Sequence, residues 1–268
     1  MPLLIMNIKN IPVLEILSVS LITSFLFTLI QLWLSGKLGS VSTTPSMILV
    51  GTFAVSITSA MYISAFKYAP PVHVELVMFV WPILVILGNI IFHNEKISYS
   101  KFFAVALCFS AFILLHFENL INNEISFSFY FGYLLTLCAA LTWTIYNLFA
   151  RSSKNCSSEL MGVYAGLGAC VILPAHLIFE STVFPNNTQL LLLVIMGLFS
   201  QSLAYQTWDY AVKNISPVTM TNIAYCTPIL SVILLLSFGF GVMTNNLLYS
   251  CLLMLAASIL IMPRNLEN

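Results

Sequence analysis

Charge is what this chain of 268 residues has least of: only 7% are Asp, Glu, Lys or Arg, and nine basic residues offset nine acidic ones. Soluble domains carry about 25% charged residues, so this composition excludes an ordinary soluble fold. Zero net charge and the lack of any basic run also remove the electrostatic footprint of a nucleic-acid-binding protein, and no nucleic acid partner is expected. The six cysteines fall mostly inside apolar stretches and form no C-x-x-C or Cys/His ligand spacing, which leaves neither a disulfide framework nor a zinc site. His73, His93, His116 and His176 are scattered towards the ends of apolar runs and read as interfacial or packed side chains rather than metal ligands. Serine, histidine and carboxylate do not cluster in any catalytic pattern, so no enzyme, metal or cofactor is expected.

What is abundant is apolar. Hydrophobic residues make up 60% of the chain, and the mean hydropathy of +0.99 describes an all-α polytopic membrane protein surrounded by lipid. About 20 apolar residues cross the hydrocarbon, and nine such runs are present: 12–34, 45–67, 70–92, 98–117, 129–150, 158–180, 188–212, 216–240 and 244–262. The first is long enough to span and lacks a basic region followed by a small-residue cleavage site, so it is expected to stay in the mature protein. The joints between runs are short and rich in Gly, Pro, Asn and Ser, which leaves no room for a separate soluble domain. Placing the C-terminus in the cytoplasm puts Lys37, Lys96, Lys101, Arg151, Lys154, Lys213 and Arg264 inside and only Lys9 and Lys67 outside, the asymmetry that orients membrane proteins.

Two prolines stand near the middle of apolar runs, in Trp81-Pro82-Ile83-Leu84 and Thr227-Pro228-Ile229-Leu230. Each removes a helical hydrogen bond, at the carbonyls of Met78 and Ala224. Freed backbone at membrane depth belongs against protein or a water-filled cavity, and paired interrupted helices mark the binding region of transporters. A constant offset of 146 positions relates the two prolines; without a gap it also pairs Gly51 with Gly197, Phe53 with Phe199, Lys67 with Lys213, and Pro71-Val72 with Pro217-Val218. This predicts a duplication. Residues 1–11 form an N-terminal stub, 12–117 a first repeat with four visible helices, 118–128 an outer connection, 129–263 a second repeat of five helices, and 264–268 a cytoplasmic tail. An odd number of spans per repeat inserts the copies with opposite orientation. Nine visible transmembrane helices then belong to a ten-helix, 5+5 inverted-repeat plan whose first helix is expected before Met1. A late start, a truncation and a nine-helix form all stay open.

Polar and aromatic residues inside the runs are the candidates for a substrate pathway. Trp143, Tyr146 and Asn147 occur at i, i+3 and i+4, and Gln201, Tyr205 and Trp208 lie on one face of the seventh run. Ser59 and Tyr62 occupy the positions matching Tyr205 and Trp208 in the first repeat, and Asn222 and Tyr225 lie one turn apart shortly before Thr227 and Pro228. Unpaired polar groups cost several kcal/mol in hydrocarbon, so these faces are expected to turn inward. Packing, or an interfacial belt for Trp33 and Trp208, is the alternative. Glu75, about five residues into the third run, is placed to bind an ammonium group or carry a coupling proton, or else to lie at the outer mouth in water. Because no acidic residue falls at mid-run, facilitated export or exchange is expected over strong proton pumping. Asp209 and Lys213 are spaced as a helical ion pair, expected at the cytoplasmic end of its helix.

The plan resembles the drug/metabolite transporter superfamily, EamA-like branch, and within it the bacterial aromatic amino acid exporters of the YddG type. The stretches that carry this are Val80-Trp81-Pro82 through Phe92-His93-Asn94-Glu95-Lys96, Tyr130 to Tyr146 with Trp143 inside it, and Leu203-Ala204-Tyr205-Gln206-Thr207-Trp208 running on to Tyr225-Cys226-Thr227-Pro228. The resemblance implies a multi-pass protein of the bacterial inner membrane that exports small metabolites, foremost aromatic or other neutral amino acids, by alternating access. Another substrate (threonine or homoserine, S-adenosylmethionine, a drug cation) and a truncated, non-transporting membrane protein are the alternatives. A homodimer is neither required nor excluded.

Overall fold

The computed structural model describes residues 1–8, 10–92, 99–121 and 127–261; within its helices the side chains of residues 101, 105, 108, 112, 115–121, 217, 218, 221–223, 225, 226, 228, 229, 258 and 261 lie outside the description. A backbone in lipid must satisfy its own hydrogen bonds, and every regular element among the described residues is helical. A short α1 (Pro2–Asn7) is followed by α2 (Val13–Leu34), α3 (Pro45–Ala65), α4 (Pro71–Phe92), α5 (Tyr99–Ile121), α6 (Phe127–Ser152), α7 (Leu160–Phe179), α8 (Asn187–Asn214), α9 (Pro217–Ser237) and α10 (Asn245–Ile261). Of these, α2, α3, α4, α6, α7 and α8 are long and apolar enough to cross a membrane, which makes this a multi-pass membrane protein. Local chemistry sets the starts. Thr44 accepts from the Met47 amide before Pro45, Asn186 and Gln189 close a capping box on α8, and Ser216 accepts from the Thr219 amide.

The chain divides into two compact units. The first takes Leu3–Ser64 and Ile145–Asn214, the second Ala65–Thr144 and the chain from Ile215 onward. In the first, α2 packs along α7 in the antiparallel sense: the Leu14 amide donates to Glu180 at 3.0 Å, while Thr28, fourteen positions on, faces Gly162. Lipid offers little hydrophobic drive for helix pairing, so close approach of small residues matters most. Ser20, Ser24 and Thr28 form such a strip on α2, and Gly162 and Gly166 form one on α7. In the second unit α5 and α10 are likewise antiparallel, with Ser250 Oγ donating to the Ala111 carbonyl at 2.9 Å and Ala104 and Ala257 sharing a core with Ile83 and Ile86 of α4. Among the described residues these are the two most extensive helix pairings. Each joins stretches related by the offset of 146.

The prolines do not behave as a matched pair. At Pro82 the helix does break: Phe79 leaves the helical region (φ −73°, ψ 14°), tight turns link Val80 to Val77 and Ile83 to Val80, and a fresh helical segment begins at Trp81. At Pro228 it does not, because α9 runs unbroken from Pro217 to Ser237. One missing hydrogen bond is absorbed by an otherwise apolar helix, so a proline by itself does not specify an interruption. The matched irregularity lies elsewhere. A wide π turn occupies Ala54–Thr58 in α3 and another occupies Met196–Leu203 in α8, overlapping under the same offset. Just before or within these turns, Gly51 and Gly197 permit close crossings: a Cβ at Gly197 would lie 2.6 Å from the Ser20 carbonyl oxygen, and one at Gly51 would run into the Tyr164 ring.

Candidate functional site

The π turn of α8 begins a buried polar ladder inside the first unit. Gln201 is fully buried; its Nε2 donates to Ser59 Oγ at 3.1 Å, and its backbone carbonyl accepts from Ser24 Oγ at 3.0 Å. Ser59 Oγ also lies 3.3 Å from the Tyr205 hydroxyl, a hydrogen bond between two residues 146 positions apart. On the adjoining face Gln206 Nε2 donates to Thr28 Oγ1 at 2.9 Å and Ser202 Oγ at 3.0 Å, and those two hydroxyls are 3.1 Å apart. Trp208 Nε1 donates to Asn147 Oδ1 at 2.8 Å, which ties the half-buried indole to α6 instead of leaving it in an interfacial belt. Tyr62 is buried in the same unit. The structure therefore draws Ser59, Gln201 and Tyr205 into one network and Asn147 and Trp208 into a second. π turns often accompany functional sites because they redirect side chains and free backbone groups.

The ladder ends in the expected ion pair, at the C-terminal end of α8. Asp209 and Lys213 bond at 2.5 Å with side-chain exposures of only 1% and 4%, so the pair is also buried. Tyr146 donates to Asp209, and Lys213 also donates to the Cys156 carbonyl at 2.9 Å. Such charges persist in a dry interior only when several partners satisfy them. Lys67, the counterpart of Lys213, is exposed in the second unit. Beside the cluster opens a cleft of about 560 Å³ lined by Gln31, Lys154, Glu159, Gln206, Lys213 and Asn214 among others. At its rim Lys37 donates to Glu159 at 2.9 Å and holds that carboxyl below the usual carboxylate range.

At the opposite end of α2 and α7 a second cluster surrounds His176, which is 2% exposed. Its Nδ1 lies 3.0 Å from Glu180, and its Nε2 lies 3.1 Å from Thr182 and 3.8 Å from Glu15. The same carboxylates accept the amides of Leu14 and Val183, so the group staples three segments together. The carboxylates approach opposite nitrogens of one ring, an arrangement for hydrogen bonding rather than ligation. No group of three His, Cys, Asp or Glu among the described residues is placed to hold a metal ion.

In the second unit Trp81, Pro82 and Trp143 are buried, and Thr144 Oγ1 donates to the Trp81 carbonyl at 3.3 Å. Glu75 is 3% exposed, which rules out a position in water at an outer mouth. His73 Nδ1 lies 2.8 Å from the Tyr133 hydroxyl, so this histidine is packed. Thr227 is exposed on α9. The side chains of Asn222, Tyr225, Pro228, His93 and His116 lie outside the described residues. The face formed by Trp143, Tyr146 and Asn147 is shared out along α6, Trp143 belonging to the second unit and the other two to the first. Sequence reasoning missed Ser202, Gln206, Asp209 and Lys213 as members of the site, although their spacing of four, three and four is the helical period already used for Gln201, Tyr205 and Trp208. The Glu15–His176–Glu180 group left only the i, i+4 spacing of its last two members as a signal.

Comparison with known proteins agrees with this architecture. Residues 3–117 and 130–262 match the family described as the EamA-like transporter family. A relative from Ancylobacter novellus, named aromatic amino acid exporter YddG, is 24% identical over 197 residues, covering 74% of this chain and 69% of its own. A solved crystal structure superposes with a TM-score of 0.80 over 97% of this chain and 91% of the other at 20% identity, a shared fold. Matched along nearly its whole length, the chain belongs to the EamA-like transporter family.

Proposed function

We propose that this membrane transporter exports aromatic and other neutral amino acids across the bacterial inner membrane, by alternating access of two inverted repeats, with its C-terminus in the cytoplasm. The observation that carries the repeat is the antiparallel packing of stretches 146 positions apart: α2 on α7 in one unit and α5 on α10 in the other. Two copies inserted with opposite orientation place each helix antiparallel to its counterpart. The overlapping π turns and the hydrogen bond between Ser59 and Tyr205 support the same relation. Among the described residues nine helices, α2 to α10, overlap the nine apolar runs, and we assign them to a ten-helix plan.

The substrate class draws on the aromatic amino acid exporter named among the relatives and on the chemistry of the candidate residues. The candidate pathway residues of the first unit are Tyr146, Asn147, Gln201, Tyr205 and Trp208 with Ser59 and Tyr62; those of the second are Trp81, Pro82, Trp143, Asn222, Tyr225, Thr227 and Pro228. Aromatic stacking adds about 0.5 to 1.5 kcal/mol per pair beyond burial, enough to favour a planar side chain. Glu75 is the candidate for an ammonium group or a coupling proton. The test is the intracellular and extracellular amino acid content of cells expressing the chain during a load of phenylalanyl dipeptide. Lowered intracellular phenylalanine is expected, with Trp81→Ala losing aromatic export first. Phenylalanine levels equal to those of cells without the protein would refute the reading, and selective export of threonine would transfer it to another substrate.

A further inference from the structure

The cleft beside the Asp209–Lys213 pair contains two incomplete hydrogen-bonding groups of opposite kind. Lys213 spends two of its three ammonium hydrogens on the Cys156 carbonyl, at 2.9 Å, and on Asp209, at 2.5 Å; among the described residues the third has no partner. Gln31 Oε1 is buried and accepts from nothing among the described residues. Both residues line the same cleft. Buried polar atoms are almost always paired, and an exception calls for an explanation. Here the exception is the neutral acceptor, while Lys213, already paired twice, has a further hydrogen to give. A ligand that engages both presents an anionic acceptor and a donor within the one cleft.

We infer that this cleft binds the head group of a zwitterionic α-amino acid, with its carboxylate on Lys213 Nζ and its ammonium on the Gln31 side-chain oxygen. The assignment rests on the proposed reading of the chain as an amino acid exporter and adds to it the place where the substrate is taken up. Three features of the lining favour it. Its charged residues are Lys154, Lys213 and Glu159; Glu159 is paired with Lys37 and Lys213 with Asp209, so Lys154 tips the balance of the lining to positive and draws the carboxylate. Gln206, Thr207 and Asn214 keep the wall polar, while the Tyr210 ring, 63% exposed, offers a surface for an aromatic side chain. The volume of about 560 Å³ falls within the roughly 300 to 1,000 Å³ of small-molecule sites. Asp209 acts here as a positioning residue, since it fixes the Lys213 ammonium without lining the cleft itself.

The experiment is equilibrium binding to the purified full chain in lipid nanodiscs, using L-phenylalanine, 3-phenylpropionate, which lacks the ammonium, and phenethylamine, which lacks the carboxylate. Gln31→Met removes the acceptor at nearly constant volume, and because that acceptor has no partner its loss leaves the melting temperature unchanged. It is expected to weaken L-phenylalanine about tenfold, equivalent to about 1.4 kcal/mol, to leave 3-phenylpropionate within twofold, and to be rescued by Gln31→Glu. L-Phenylalanine bound equally by wild type and Gln31→Met, a uniform loss of all three ligands, or no binding of any of them to the wild type would overturn the cleft assignment. Dipeptide-loaded cells separate this failure from failure of the export reading. Phenylalanine export undiminished by Gln31→Met sinks the cleft and leaves export standing, whereas Gln31-dependent binding without export sinks the transport reading alone.

Discussion

Replacing Lys213 by methionine is expected to cost about 3 to 5 kcal/mol of stability, because it strands the Asp209 carboxylate in a dry environment. At 2.5 Å two unit charges attract by about 6 to 7 kcal/mol in an effective dielectric near 20, and desolvation of both offsets most of that. The pair's net contribution is therefore small, but the loss of one member is not. After the substitution Asp209 keeps, among the described residues, only the Tyr146 hydroxyl as a hydrogen-bond partner. The double variant Asp209→Asn/Lys213→Met removes both charges and leaves an amide oxygen for Tyr146, so it is expected to recover to within about 1 kcal/mol of wild type. The coupling energy between the two sites then exceeds about 2 kcal/mol, well above the scatter between independent sites. Denaturant unfolding in mild detergent, followed by tryptophan fluorescence, measures all four corners of this cycle. A single variant within 1 kcal/mol of wild type, or a double variant as unstable as the summed singles, would show that the pair is solvated and the burial argument wrong.

Two further outcomes follow from the packing and from the rim of the cleft. Gly197→Ala places a methyl 2.6 Å from the backbone oxygen of Ser20, which cannot swing away, and about 1 to 3 kcal/mol of overpacking strain is expected; Gly36→Ala, at φ +68° with nothing within 4 Å, carries only the left-handed backbone penalty of about 1 to 2 kcal/mol, so both melting temperatures should fall, the first through packing and the second through backbone strain alone. Glu159 is held below the usual carboxylate range chiefly by the hydrogen bond from Lys37, so the stability it lends is present above the ordinary carboxylate pKa and disappears as pH falls through the lowered value of the folded protein. Acid titration of the melting temperature in wild type and Glu159→Gln checks this: the variant should lose part of the acid limb, and high salt should shrink the difference between them.

The architecture was legible because lipid leaves few choices. Nine apolar runs fall on α2 to α10 with ends shifted by a few residues, since caps such as Asn186 and Ser216 and the helix-starting Pro45 and Pro71 are local signals. What misled was the weight given to proline: Pro82 and Pro228 look alike in sequence, yet only the first interrupts its helix. The π turns left no mark in residue type, because an extra residue in a turn is decided by how the helix is clamped at either side, here by Ser24 on the Gln201 carbonyl and Ser20 against Gly197. The site was half legible. Gln201, Tyr205 and Trp208 stood out as a polar and aromatic face, while Asp209 and Lys213 were discounted because sequence alone does not reveal that Tyr146 and the Cys156 carbonyl close over them.

The proposed duplication also explains where function has concentrated. In the second copy the hydroxyl of Ser202 is answered by Thr28 and Gln206. Its counterpart Ser56 is also buried but has no partner for its hydroxyl among the described residues. The offset supplies the reason, since Pro174 replaces the counterpart of Thr28 and Ala60 that of Gln206. Continuing along the same helices, Val55 answers Gln201 and Ile63 answers Asp209. On the proposed duplication, a pair of equivalent helices has become a less polar member, α3, and a member, α8, that carries the ladder from Gln201 to Lys213. Burying a polar ladder is costly unless every rung is met, and here partners from α2, α3 and α6 meet it rung by rung. Divergence of that kind breaks the symmetry of the first unit while preserving its helix packing. It leaves the end bearing Asp209 and Lys213 with the chemistry to bind a charged head group, and the opposite end with the Glu15–His176–Glu180 staple instead.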